Sequence, residues 1–195
     1  LTSIEIPSSV TSIGDRAFYY CSSLASIKIP EGVTSIGDEA FYDCDSLTSI
    51  EIPSSVTSIG GRAFYGCDRL EFREYDNGYY LGNKDNPYIA FIDAKYWIES
   101  CLINNDCMVI GDAAFFECRR LKSIEIPSSV TSIGDKAFYN CVSLTSIEIP
   151  SSVTIIGNGV FSNCIKLPII SVSENNSNYK SIDGNLYSKD GTILL

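Results

Sequence analysis

The chain has 195 residues, and its 14 basic and 24 acidic side chains give a formal net charge of −10. An acidic surface repels phosphate groups, which disfavours nucleic-acid binding and docking on anionic lipid. The sequence contains no histidine, which excludes Ser-His and Cys-His nucleophilic pairs and histidine-ligated metals. No stretch reaches the roughly 18 apolar residues of a membrane-spanning helix, so we expect no direct membrane insertion by this chain.

A repeat of 23 residues organises the sequence. Full copies start at residues 1, 24, 47, 98, 121 and 144, and they share the pattern L-x-x-I-x-I-P-x-x-V-x-x-I-G-x-x-A-F-x-x-C-x-x. Two longer segments, residues 70–97 and 167–195, interrupt the period. Because the sequence opens inside a repeat, we expect a fragment of a longer chain. We expect residues 1–195 to form one elongated domain of eight stacked coils.

The first copy illustrates the structure predicted for one coil. Alternating apolar residues predict a half-buried strand over residues 1–6, with Leu1 facing inward and a proline at its end. Residues 10–14 predict a second short strand that ends at a glycine corner. Asp15 then lies where an N-cap is expected, ahead of one short helical or 3₁₀ turn that buries Phe18. Such a coil has an apolar face that only a neighbouring coil can cover, so the pattern predicts a solenoid.

Each longer segment begins with a strand-like run and continues into a predicted hairpin. In the first segment, apolar arms within residues 79–92 flank a turn at residues 82–87. In the second segment, residues 185–195 are expected to turn at residues 189–191, where the sequence reads Lys-Asp-Gly. We interpret both segments as long variant coils of the same solenoid.

The blocks L-x-x-I-x-I-P, V-T-S-I-G and A-F-x-x-C resemble the BspA-like leucine-rich repeats, a 23-residue class found in bacterial surface proteins. The resemblance extends over all six full copies, and the two longer segments look like variants seen in that family. It implies a mainly β leucine-rich-repeat solenoid with right-handed coils, a parallel strand stack and short helical or 3₁₀ turns. It also implies a cell-surface or secreted location and a role in adhesion or ligand binding, with no catalytic residues and no cofactor.

The eight cysteines are predicted to be core residues. Cys101 and Cys107 occupy two apolar positions of the fourth full copy. The other six share one repeat position: Cys21, Cys44, Cys67, Cys118, Cys141 and Cys164. Buried thiols behave as small apolar side chains. A disulfide framework is the competing interpretation, with Cys101 and Cys107 as its first candidates. The sequence has no C-x₂-C pair and no histidine, so no zinc site is expected.

The outward positions of the first strand form a candidate binding surface. The third position of the coil is mostly serine, and the fifth is mostly acidic. The fifth-position residues are Glu5, Lys28, Glu51, Glu74, Leu102, Glu125 and Glu148. Stacking would place them in one acidic ladder that engages a basic partner or a cation. Alternatively, these side chains only solvate an exposed sheet, and paired carboxylates also superficially resemble a glycosidase site.

The internal long segment concentrates aromatic residues, including the single tryptophan of the chain. The candidate partner-binding residues there are Tyr75, Tyr79, Tyr80, Tyr88 and Trp97. Tyrosine and tryptophan dominate interface hot spots, and irregular elements on a regular scaffold often carry function. The alternative is that these rings pack onto the neighbouring coils. A second set of aromatic residues follows the buried phenylalanine of each coil and predicts a half-buried ridge.

These observations favour a non-enzymatic recognition module, an adhesin-like part of a cell-surface or secreted protein that binds a protein or glycan. A structural spacer or stalk is the main alternative, and a carboxylate-based enzyme acting on glycans is the outsider. We expect no catalytic residue, no cofactor and no metal site.

Overall fold

The computed structural model describes residues 2–193, so the inward position predicted for Leu1 and the end of the predicted hairpin over residues 185–195 lie outside it. Within this range the chain forms a β-solenoid of about seven coils with a repeat of about 23 residues and no helix. The predicted fold class is confirmed.

The first strands of the coils lie side by side and define what we call the strand face. They pair in parallel with partners 23 residues apart, as between Ser3 and Ser26. The strands are β1 (Ser3–Glu5), β3 (Ser26–Lys28), β5 (Ser49–Glu51), β10 (Ser100–Leu102), β12 (Ser123–Glu125), β14 (Ile147–Ile149) and β16 (Ile170–Val172). The face is interrupted between β5 and β10, because the internal long segment supplies no parallel strand there.

A second stack of two-residue strands follows the first around each coil. Its members are β2 (Ser12–Ile13), β4 (Ser35–Ile36), β6 (Ser58–Ile59), β11 (Val109–Ile110), β13 (Ser132–Ile133) and β15 (Ile155–Ile156). The glycines that follow β4, β6, β13 and β15 allow close approach of the preceding coil. A Cβ atom at Gly60 would lie 2.5 Å from the backbone nitrogen of Asp38, closer than real Cβ contacts allow.

The third side of each coil is a turn segment, and it is not the predicted helical turn. Arg16 and Tyr20 have φ angles of 56° and 58°, in the left-handed region, so no helix can form. Instead, the N–H groups of Arg16, Phe18 and Tyr20 donate to carbonyl oxygens of the next coil at 2.8–2.9 Å. The N-cap prediction for Asp15 is wrong, since its carboxylate accepts the N–H of Asp38 in the next coil.

Stacked phenylalanine rings fill the core behind the turn segments. One ladder runs Phe18, Phe41, Phe64, with centroid distances of 5.1 and 5.5 Å. A second ladder runs Phe91, Phe115, Phe138, Phe161, with distances of 4.5, 4.9 and 5.6 Å. The two ladders belong to two separate core clusters, which divide at the internal long segment.

The cysteines lie in this core, as predicted. Seven are buried, Cys21 is half-buried, and all eight are free thiols. The thiol of Cys44 donates to the carbonyl oxygen of Phe18 at 3.2 Å, and Cys67, Cys141 and Cys164 make the equivalent contact. Cysteine at this position therefore combines a small apolar volume with a donor for a backbone carbonyl of the preceding coil.

The internal long segment folds into three antiparallel strands, β7 (Arg73–Tyr75), β8 (Gly78–Leu81) and β9 (Ala90–Ala94). The predicted hairpin over residues 79–92 is confirmed as the β8–β9 pair. β9 then pairs in parallel with β11, so the segment continues the second stack. The tight turn at Asp76, which has a φ of 48°, reverses the chain after β7, so β7 pairs antiparallel with β8.

The terminal long segment contains a hairpin that was not predicted. β16 extends the strand face, and β17 (Tyr179–Ile182) then pairs antiparallel with β18 (Asn185–Ser188). Asp183 and Gly184 form the two-residue turn with φ angles of 51° and 83°, the geometry of a type I′ hairpin. Residues 185–188 are thus the second arm of this hairpin. The predicted turn at residues 189–191 follows them, with the N–H of Gly191 donating to the carbonyl of Ser188 at 2.8 Å and the N–H of Ser188 donating to the carbonyl of Ile193 at 2.9 Å. The segment does not complete an eighth coil.

Candidate functional site

A shallow groove lies on the strand face of the C-terminal half. It has a volume of about 590 Å³ and runs over β12 and β14. Its polar and proline lining residues are Glu125, Pro127, Ser128, Ser146, Glu148 and Pro150. The groove therefore brings together two of the predicted site residues, Glu125 and Glu148.

The repeat pattern explains how this groove forms. The side chains at the third and fifth positions of each coil point outward. Ser146 and Glu148 therefore lie on the same, exposed side of the chain at β14. The short serine side chains line the floor of the groove, and the longer glutamate side chains lie beside them. Pro127 and Pro150 end the strands because they cannot donate a further ladder hydrogen bond. The proline and serine lining was not proposed as a binding surface from the sequence, although Pro-Ser-Ser follows the first strand in four of the six full copies.

The charge on the strand face is distributed unevenly. In the N-terminal half, Lys28 lies in register between Glu5 and Glu51, so the cation separates the two carboxylates. In the C-terminal half, Leu102 rather than a lysine pairs with Glu125. Neighbouring strands lie about 4.8 Å apart, so carboxylates on adjacent strands repel each other unless a cation intervenes. The negative potential is consequently concentrated at the groove.

Glu74 is not part of this ladder, and the prediction that placed it there is wrong. It lies on β7, which pairs with β8 instead of with β5. Its carboxylate forms an ion pair with Lys95 at 2.6 Å, and the Lys95 ammonium lies 5.7 Å from the centre of the Tyr79 ring. These three side chains form a small surface cluster on the internal long segment.

Three of the predicted partner-binding tyrosines pack against one another and against the core. Tyr75, Tyr80 and Tyr88 meet edge to face, with centroid distances of 5.5–6.4 Å. Tyr80 is fully buried, and its hydroxyl accepts the backbone N–H of Asn104 at 3.1 Å. Burial raises the pKa of Tyr80 above its ordinary value. Tyr80 is therefore a core residue that a surface partner cannot reach, while Tyr75 and Tyr88 are half-buried against it.

The remaining aromatic candidates are accessible. Tyr79 is half-buried, whereas Trp97 is 76% exposed and the adjacent Tyr96 is 87% exposed. Trp97 also has a φ of 65°, which fixes it at the tip of a turn just before β10. The pattern of aromatic residues alone did not separate the buried rings from the exposed ones.

The aromatic ridge on the turn side is continuous in the N-terminal half. The rings of Tyr19, Tyr42 and Tyr65 stack at centroid distances of 5.1 and 5.2 Å. Tyr65 is 60% exposed at the end of the stack, more than a half-buried ridge implies. Phe116 and Tyr139 form the shorter equivalent in the other half, at 5.1 Å.

Within residues 2–193, no group of three or more cysteine, aspartate or glutamate side chains is arranged to hold a metal ion. The described residues also include no helix long and apolar enough to span a membrane.

Two ranges, residues 1–80 and 89–191, match a family model described as a BspA type leucine-rich repeat region, in six copies. No curated protein matches the chain. Three solved structures similar to it are a leucine-rich cell surface protein from Faecalibacterium prausnitzii, the leucine-rich repeat protein of T. pallidum and the pneumococcal vaccine antigen PcpA. Their sequence identities are 30%, 25% and 23%, and their TM-scores are 0.46, 0.42 and 0.44.

The matches cover 98%, 86% and 97% of this chain, in the same order. They cover 52%, 78% and 44% of the respective proteins, so the chain spans about half the length of the first. The family match extends over most of the chain and agrees with the 23-residue pairing seen in the structure. The chain therefore belongs to the family of BspA-type leucine-rich repeat proteins.

Proposed function

We propose that this chain is a non-enzymatic recognition module of a cell-surface or secreted protein, and that it binds a protein partner through the groove on its strand face. The family supports a binding role, because leucine-rich repeats are interaction modules. The surface location rests on the same family membership.

The observation that carries the proposal is the pair Glu125 and Glu148 in the groove, with no cation in register beside them. An extended segment bearing lysine or arginine fits this arrangement, since each basic side chain can meet one carboxylate. Complementary charge mainly raises the association rate and selects among partners. The apolar and proline lining supplies the remaining contact area.

A basic protein segment fits the groove better than a glycan does. Sugar rings are commonly held by stacking on aromatic faces, and the groove lining contains no aromatic residue. The exposed aromatic side chains Trp97 and Tyr96 lie on the internal long segment instead. A glycan partner would accordingly be expected at Trp97 and not at Glu125 and Glu148.

The structural spacer remains a second candidate, and one observation favours it. In the N-terminal half, Lys28 neutralises the ladder between Glu5 and Glu51, and the coils are nearly identical. Such a surface offers little to distinguish one partner from another. A spacer would show no saturable binding through either half.

Binding to a panel of extracellular matrix proteins and glycans tests the proposal. The panel compares the wild-type chain with Glu125→Gln/Glu148→Gln and with Trp97→Ala. We expect at least one basic protein to bind the wild type and the Trp97 variant but to lose most of its affinity for the glutamine variant. Saturable binding that only Trp97→Ala abolishes would move the site to the long segment. Absence of saturable binding across the panel would favour the spacer.

A further inference from the structure

The internal long segment ends in two aromatic residues that are exposed to solvent. Tyr96 and Trp97 are 87% and 76% exposed, and they form a turn just before β10. This turn lies in the middle of the chain, between the full coils of residues 47–69 and 98–120. The surfaces of both rings are therefore largely open on the side of the solenoid.

The backbone at Trp97 is held in an unusual conformation. Its φ of 65° lies in the left-handed region, which a bulky side chain seldom adopts and which costs free energy. No positive φ occurs at the same position of the six full coils, where the residues are Ser23, Ser46, Arg69, Arg120, Ser143 and Lys166. Core packing does not account for a strained tryptophan that buries so little of its surface. Backbone strain of this kind is concentrated at residues that hold ligands.

Basic side chains lie beside this turn. Three of the four residues 119–122 are basic, a density found nowhere else in a chain whose net charge is −10. β10 and β12 pair with an offset of 23 residues, so Trp97 corresponds to Arg120 in the next coil, about 4.8 Å away along the stack. Tyr96 corresponds in the same way to Arg119. We call these four residues and Lys122 the aromatic-basic patch.

The positive charge of this patch is only partly balanced. Arg119 pairs with Glu117 at 3.3 Å, whereas Glu99 alone pairs with both Arg120 and Lys122. Two cations that share one carboxylate leave one positive charge without a partner, and both of their side chains are more than half exposed. Because Glu99 belongs to the preceding coil, the guanidinium of Arg120 reaches across to the coil that follows the aromatic turn.

We propose that the aromatic-basic patch is a second binding site, which takes a saccharide bearing a carboxylate group. The C–H face of a sugar ring stacks on the Trp97 ring. The carboxylate of the sugar meets the guanidinium of Arg120, whose planar fork can bind both carboxylate oxygens at once. Lys122 keeps its ion pair with Glu99 when Arg120 turns to the ligand.

The exposure and the charge of the patch favour a saccharide over an acidic protein segment or a densely charged polymer. Hot spots for proteins usually lie in well-packed pockets that exclude water, whereas Tyr96 and Trp97 protrude into solvent. The net charge of −10 repels a densely charged polyanion, while one unpaired cation matches one carboxylate. The patch includes neither Glu125 nor Glu148, so this proposal is independent of the groove.

The fluorescence of Trp97 reports on the site directly, because it is the only tryptophan in the chain. The probes are hyaluronan oligosaccharides, with internal carboxylates, sialyllactose, with a terminal carboxylate, and neutral chitin oligosaccharides. We expect a saturable change in emission with at least one of the two acidic saccharides and none with the neutral one. A saturable change with neither acidic saccharide, or an equal change with the neutral one, would overturn the proposal.

Two double variants with the same net charge separate a local role from a general charge effect. Arg120→Gln/Lys122→Gln removes the cations of the patch, and Lys84→Gln/Lys136→Gln removes two exposed cations elsewhere. The first should bind the acidic saccharide at least about tenfold more weakly than wild type, and the second should bind it as wild type does. Equal losses in the two variants would overturn the proposal.

Glu99→Gln tests the same arrangement in the opposite direction. It releases both cations from their shared carboxylate, so the affinity for the acidic saccharide should rise by at least about threefold. A defect in folding would not produce a gain in affinity. A lower affinity in this variant would contradict the role assigned to the two cations.

Calorimetric titration tests the aromatic contribution. Trp97→Ala should abolish saccharide binding, whereas Tyr65→Ala, at another exposed ring, and Glu125→Gln/Glu148→Gln in the groove should retain it. Retention of binding by Trp97→Ala would overturn the proposal. So would a polyglutamate peptide that binds wild type as tightly as the acidic saccharides do, because charge alone would then explain the binding.

Discussion

The carboxylate of Asp15 accepts the backbone N–H of Asp38, 23 residues further along the chain, at 2.9 Å. Asp38 repeats the contact with the N–H of Gly61, and Asp112 repeats it with the N–H of Asp135. An aspartate at this corner therefore ties its coil to the next through a backbone N–H group.

Removing one of these ties should weaken the stack measurably. We expect Asp38→Ala to lower the free energy of unfolding by about 1 kcal/mol, because the N–H of Gly61 loses its acceptor. Asp38→Asn keeps an acceptor oxygen and should cost less. Urea unfolding of both variants, with Asp45→Ala on the exposed surface as the control, measures the difference. An equal decrease in the free energy of unfolding for Asp38→Ala and Asp45→Ala would contradict this role of Asp38.

The Asp112 carboxylate makes stability depend on pH. Burial raises its pKa to about 6, and the nearby carboxylates of Asp135 and Asp38 act in the same direction. In an unfolded chain an aspartate titrates near pH 3.9. Between these two values the folded state binds more protons, so this group's contribution to stability falls as the pH rises from about 4 to about 6.

Asp112→Asn should remove this dependence, because it eliminates the charge but retains an oxygen for the N–H of Asp135. Above pH 6 we expect the variant to be more stable than wild type by about 1–2 kcal/mol, with the gain vanishing near pH 4. Thermal unfolding across this pH range measures the effect. A difference that is independent of pH would show that the charge is not responsible.

The thiols should differ sharply in reactivity. Burial raises the pKa of Cys101 and Cys107 to about 12, so both stay protonated and shielded at neutral pH. Cys21, in the first coil, is the only one of the eight that is half-buried. Under native conditions we expect rapid maleimide labelling of one thiol, at Cys21, and of all eight after denaturation without reductant. Fewer than eight labelled thiols in the denatured chain would reveal disulfides.

The phenylalanine ladder should carry much of the stacking energy. Phe138 is fully buried between Phe115 and Phe161, so Phe138→Ala leaves a cavity and should cost about 3–5 kcal/mol. Tyr139→Ala, one residue away on the partly exposed ridge, is the matched control and should cost much less. Chemical denaturation of the two variants compares them, and similar losses would argue against the ladder as the main packing element.

The repeat period was sufficient to predict most of the core. Ile36 and Phe41 are buried because every interior coil places the same positions against the same neighbours, so one correct assignment holds for the whole stack. The groove could be predicted only in part. The outward orientation of Glu125 and Glu148 follows from strand alternation, but their isolation from a cation depends on which residues stand in register.

The turn segment was less visible in the sequence. Its left-handed positions are occupied mostly by residues other than glycine, such as Arg16 and Tyr20, which gave no conformational signal. Gly159 and Gly66 at the equivalent positions, with φ angles of 60° and 72°, were the available clues. The N–H groups of this segment alternate, since those of Ala17 and Tyr19 donate within their own coil and those between them donate to the next coil, and nothing in the sequence indicated the second set.

The two long segments were the hardest to predict, because they depart from the period. The repeat numbering places Glu74 in the acidic ladder. The tight turn at Asp76 instead pairs its strand, β7, with β8. The Asp-Gly pair at Asp183 is a strong hairpin signal that the sequence analysis did not use, and its hairpin precedes the turn predicted at residues 189–191. The strand pairing of each long segment depends on its own turns, so the repeat pattern does not predict it.

The central claim, recognition through the acidic groove, is tested most directly by equilibrium binding of a panel of lysine- and arginine-bearing peptides. The titrations compare wild type, Glu125→Gln/Glu148→Gln and the matched control Glu5→Gln/Glu51→Gln at low and high salt. We predict that peptides bind the wild type and the control with similar affinity. We also predict that the groove variant binds at least about tenfold more weakly, and that salt reduces wild-type affinity. Equal losses in the two double variants, or binding that neither substitution nor salt alters, would contradict the account.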